Sequence, residues 1–140
     1  MSGVVIRQAG PPLAWGNIFF NGDPGQIVLP KDERSVDHCF NVNAGFNKVS
    51  NQQPASNIRT FPMRLNSVRA DGQSKWDISM AQTFRLSKKA QFRIRTQCFN
   101  IMNYPNFASP NVTVTSAAFG TITSTVGMPR TFQADATVSF

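Results

Sequence analysis

The sequence predicts an all-β fold, an antiparallel curved sheet carrying long loops, and three observations predict it. Apolar and polar residues alternate with period two through several stretches of the second half, as half-buried strands require. Helical period is absent, and β-branched and aromatic residues dominate, with Phe alone present 12 times. Between the alternating stretches lie long segments rich in Pro, Gly, Asn and Ser, the residues that punctuate turns.

Residues 1–56 read as a loop-rich segment with one or two strands. "QAGPPLAWGN" and "NGDPGQ" are turn-forming, with the short apolar pieces "NIFF" and "IVLP" between and after them. From Val36 to Phe46 the even positions Val36, His38, Phe40, Val42, Ala44 and Phe46 oppose Asp37, Cys39, Asn41, Asn43 and Gly45, which predicts a strand. "SNQQPASN" reads as a polar loop. "IRTFPMRLNSVR" reads as extended, with Pro62 placing it at an edge or bulge.

Residues 57–140 carry the clearer strands, at about 76–86, 89–102 and 130–140, with a long loop over 103–129. In the first, Trp76, Ile78, Met80 and Phe84 face one way, and Asp77, Ser79, Ala81 and Thr83 the other; Gln82 interrupts the apolar face. "RLSKK" is a short turn. The second sets Phe92, Ile94, Thr96 and Cys98 against Arg93, Arg95 and Gln97. The third, "TFQADATVSF", sets Phe132, Ala134, Ala136, Val138 and Phe140 against Thr131, Gln133, Asp135, Thr137 and Ser139.

Strands of this length, joined alternately by a short turn and a long loop, match a transmembrane β-barrel, whose strands run roughly 9–11 residues with one face to lipid and one to a polar lumen. An arginine in lipid costs about 2–4 kcal/mol at the midplane, so Arg93 and Arg95 are expected to face the lumen. Asp77, Gln97, Gln133 and Asp135 share that polar lining, the carboxylates opposing the arginines. Trp76, Phe84 and Tyr104 fall near strand ends, where interfacial aromatic girdles belong.

Composition limits the alternatives. Hydrophobic residues make up 41% and charged residues 15%, a low charge content for a soluble domain. The net charge of +7 is spread over separated arginines and a single Lys pair, without the basic run interleaved with aromatics that nucleic acid calls for, so no nucleic-acid partner is expected. "MSGVVIRQAGPP" has no secretory-signal pattern. Cys39 and Cys98 have no CxxC spacing; two buried free thiols are the simpler reading, and a disulfide stays open. His38 and Cys39 would point to opposite faces of a strand and share no metal, and Asp32, Glu33 and Asp37 read as a solvated acidic turn. "NVT" at Asn111 matches a glycosylation acceptor, a pattern too common to carry weight. With one histidine and no nucleophile–base spacing, no enzyme is expected, and no cofactor or metal.

"NIRTFPMRLNSVRADGQSKWDISMAQTFRL", "FRIRTQCFNIMNYPNF", "SAAFGTITS" and the closing strand together resemble the C-terminal end of Oar-like TonB-dependent transporters, which are outer-membrane β-barrels. The similarity runs from about Leu13 to Phe140 and is strongest from Asn57 onward. It implies a C-terminal fragment of a transmembrane β-barrel in the cell outer membrane, a structural pore wall without catalysis. It also implies that Phe132, Val138 and Phe140 form the barrel-assembly signal. The implied partners are outer-membrane lipid, the barrel-assembly machinery, and an N-terminal plug and barrel strands absent from this chain, through which alone TonB would act. Cys98 stands where that family has a large aromatic, and "ADATVS" is less apolar than its usual final strand. The alternative reading is a soluble basic β-sandwich that acts as a binding module, since alternation alone does not distinguish lipid from a second sheet.

Overall fold

The computed structural model describes residues 1–54 and 59–140; Ile58 of the expected extended stretch and the end of the "SNQQPASN" loop lie outside them. The described residues form eight strands: β1 (Ser2–Gln8), β2 (Pro12–Ala14), β3 (Arg64–Arg69), β4 (Gln73–Arg85), β5 (Gln91–Phe99), β6 (Asn106–Phe107), β7 (Thr125–Val126) and β8 (Thr131–Ser139). Helical structure among them is confined to two 3-10 turns, Pro24–Ile27 and Ser50–Gln52. The protein is all-β.

Four strands make one antiparallel sheet in the order β1-β4-β5-β8. Gln8 pairs with Gln73 and Phe99 with Thr131, so residues 9–72 and 100–130 leave and re-enter the sheet at the same end. The opposite end is closed by the five residues 86–90. There Leu86 N donates to Ala90 O at 3.0 Å, and the Ser87 hydroxyl accepts from Ala90 N at 3.1 Å. This alternation of one tight turn with two long connections is the asymmetry of an outer-membrane barrel wall.

The chain divides into two compact units that interleave along the sequence. The sheet unit comprises Met1–Gln8, Gln73–Asn106 and Val126–Phe140; the loop unit comprises Ala9–Gly72 and Phe107–Thr125. The loop unit has a closed aromatic core. Trp15, 2% exposed, stacks on Phe46 at 5.3 Å and meets Phe40, Phe61 and Phe119 edge-on at 5.2, 5.5 and 6.5 Å. Phe119 comes from the second long connection, so the two connections share one core. Around it, backbones touch directly. A Cβ at Gly22 would lie 1.6 Å from Ala44 O, and Gly45 holds a φ of 118°, a conformation other residues rarely adopt.

Four expectations from the sequence are corrected here. β1 was not singled out within the loop-rich segment 1–56, yet it is a full strand. Its Val4-Val5-Ile6 run lacks alternation because apolar side chains occupy both faces. Val36–Phe46 is no strand. Its alternation arises because Phe40, Ala44 and Phe46 enter the core between turns, with Asn41 Oδ1 accepting from Asn43 N at 3.0 Å. "NIFF" contributes a single bridge, Phe20 to Phe46, and "IVLP" begins with Ile27, the last residue of a 3-10 turn capped by Asp23, which accepts from Gly25 N at 2.8 Å. The segment 103–129 holds β6 and β7, and its middle belongs to the aromatic-cored unit.

Candidate functional site

The sheet unit sorts its side chains onto two faces, and strand register makes the sorting explicit. Directly paired residues share a face. One face carries the rows Ile78–Cys98–Phe132, Met80–Thr96–Ala134, Gln82–Ile94–Ala136 and Phe84–Phe92–Val138, with Val5 beside Trp76. The other carries Ser79–Gln97–Gln133, Ala81–Arg95–Asp135, Thr83–Arg93–Thr137 and Arg85–Gln91–Ser139.

The apolar rows are largely uncovered, with Cys98 the buried exception. Met80 is 55% exposed, Phe84 47%, Ile94 37%, Phe132 74% and Val138 47%. A sandwich would bury this face against a second sheet. Contiguous apolar surface of this kind marks a partner or a membrane, so the soluble-sandwich reading lacks its second layer among the described residues.

Of the residues expected to line a lumen, Arg93, Arg95, Gln97, Gln133 and Asp135 all fall on the polar face, where Gln97 pairs with Gln133 and Arg95 with Asp135. Asp77 is on that face too, but it answers neither arginine. Its Oδ2 lies 2.9 Å from Lys75 Nζ, and its Oδ1 accepts from Asn100 N at 2.9 Å. Among the described residues Lys75–Asp77 is the one ion pair within 4 Å, so the opposed Arg95 and Asp135 do not close a salt bridge. Lys75, Arg85, Arg93 and Arg95 against Asp77 and Asp135 leave this face positively biased.

Trp76 and Phe84 sit on the apolar face eight residues apart, about 27 Å along a strand at its usual rise, comparable to the ~25 Å apolar band of an outer-membrane barrel. Phe84 stacks near-parallel on Phe92 at 6.3 Å beside the tight turn. At the other end the Arg7 guanidinium lies 5.8 Å from the centre of the Trp76 ring. Arg7 was missed by sequence reasoning, as β1 was; its signal would have been the tie between Gln8 and Gln73, which no local pattern shows. Tyr104, 52% exposed, follows the turn organised by Asn100, whose side chain holds Tyr104 N, Tyr104 O and Met128 O. Phe132 and Val138 lie on the apolar face; Phe140, beyond the end of β8, is 98% exposed.

Cys39 and Cys98 are free thiols; Cys98 is buried, but Cys39 is only partly so, which corrects the expectation of two buried thiols. No group of three His, Cys, Asp or Glu side chains among the described residues is placed to hold a metal. No described helix is long and apolar enough to cross a membrane, which says nothing of crossing by strands. Against known proteins, residues 1–133 match the family model described as "Outer membrane beta barrel domain". No curated protein and no solved structure matches the chain.

Proposed function

The chain belongs to the outer membrane beta barrel domain family, and from that premise we propose that it forms an arc of the wall of a TonB-dependent, Oar-like transporter barrel. The observation that carries the reading is the sheet with exposed apolar rows on one face and arginines, glutamines and aspartates on the other. Four strands do not close, and natural barrels begin at about 8. Further strands must therefore flank β1 and β8, supplied by the plug-bearing remainder of such a transporter. In this reading the chain has structural work only, without catalysis. Its apolar face meets outer-membrane lipid, its polar face lines the lumen, Phe132, Val138 and Phe140 engage the barrel-assembly machinery, and TonB acts only through the remainder.

The two tryptophans test the lipid assignment, because one lies in each unit. With Trp15→Phe and Trp76→Phe variants reconstituted in bilayers, brominated phospholipids should quench Trp76 and leave the core-buried Trp15 unaffected. Equal quenching of both, or none at Trp76, would sink the assignment. The finer transporter identity is tested by the in-frame coding sequence upstream of Met1, where a plug domain is expected; a stop codon and promoter there would remove its support.

A further inference from the structure

The loop unit holds a recess of about 510 Å³, within the range of small-molecule sites. Three cations line it, Lys31, Arg34 and Arg69, with one carboxylate, Asp71. These come from separate stretches of the first long connection, while the apolar wall adds Phe107 and Ile122 from the second. The cations are not consumed by ion pairs among the described residues. Arg34 and Arg69 are instead held through Nε, which donates to Leu29 O at 2.8 Å and to Gly10 O at 2.8 Å respectively. Each guanidinium is thereby positioned while its two terminal nitrogens stay available as donors, the arrangement that suits bidentate recognition of a carboxylate or phosphate.

The apolar wall continues. Val36, Phe107 and Ile122 also line an adjoining recess of about 340 Å³ whose far side is Thr123, Ser124 and Thr125. The cationic groove and its hydroxyl-lined neighbour thus share an apolar wall.

We propose that this groove is a binding site for a water-soluble organic anion, a carboxylate or phosphate head carried on an apolar body. Lys31, Arg34 and Arg69 take the head, and Phe107 and Ile122 take the body. Asp71 at the cationic end disfavours a second negative charge and selects a compact head over an extended polyanion. The inference rests on the loop unit alone and stands or falls apart from the membrane reading of the sheet.

Cys39 lines the same recess and serves as a reporter. In the full chain in zwitterionic detergent, phenyl phosphate should slow alkylation of Cys39 saturably and leave Cys98 unchanged. Benzyl alcohol and inorganic phosphate, each carrying one half of the chemistry, should protect at least about tenfold more weakly. The Arg34→Gln/Arg69→Gln double variant should weaken the phenyl phosphate effect by about tenfold or more. Lys31→Gln, which removes no hydrogen bond of the fold, should weaken it several-fold. Near-UV circular dichroism of the aromatic core reports whether each variant is folded. Undiminished protection in folded variants, equal protection by benzyl alcohol, or protection seen only in phosphatidylglycerol bilayers and not with phenyl phosphate would each overturn the proposal.

Discussion

Cys39 shows how a single side chain records its surroundings. Partial burial, then the nearby carboxylates of Asp71 and Asp37, push its thiol up from the ordinary 9.0 to about 11, with Arg34 opposing. A thiolate is the reactive species, so at pH 8.5 Cys39 should alkylate with iodoacetamide about 100-fold more slowly than an unperturbed thiol. Its rate should keep rising past pH 10, and Asp71→Asn should speed it. A plateau near pH 9 would contradict the assigned environment. The sign for stability follows: the folded state holds the proton more tightly than the unfolded chain. The contribution is therefore complete below about pH 9 and is lost as pH climbs through about 11. None of this was legible in the sequence, where His38-Cys39 looked like two adjacent positions of a strand, because Asp71 reaches Cys39 from a distant stretch of chain.

At the scale of the element, β4, β5 and β8 were readable because each repeats one environment on each side for nine residues or more. β1 was not, since its Val4 and Ile6 stand on the same face as Asp77 and Lys75 and break the period. The Val36–Phe46 segment misled for the opposite reason. Asn41, Asn43 and Gly45 make turns that return every second side chain to a core, so alternation appears without extended pairing. Alternation reads which residues share a face but not their partners: the sequence offered Asp77 and Asp135 alike to the arginines, while the attachment of Asp77 to Lys75 and Asn100 depends on a turn beyond the strand. Face assignment is testable on the neighbouring strands β5 and β8. Ile94→Arg should cost about 2–4 kcal/mol of stability in bilayers, against roughly 0.5 kcal/mol or less for Thr137→Gln on the polar face. Denaturant titration in vesicles checks this, and equal costs would show that the two faces see the same medium.

For the whole molecule the exposed edges decide behaviour. β8 presents an unpaired ladder, and β1 reaches only to Ser79, which leaves β4 from Met80 to Arg85 unpaired on that side among the described residues. Open edges in lipid cost several kcal/mol for each unsatisfied backbone group, and in water they recruit other strands. Expressed alone without detergent, the chain should aggregate; in detergent it should run as oligomers by light scattering, with β-structure by circular dichroism. A soluble monomer that melts cooperatively would favour the sandwich. The clasp of Phe119 onto Trp15 has a consequence in time as well. Synthesis supplies Trp15, Phe40 and Phe46 early, but the ring that completes their cluster arrives only after the β4–β5 hairpin has been made. Until then a greasy, half-finished nucleus lacks one wall, and that interval is when the nascent chain is most prone to stick to its neighbours.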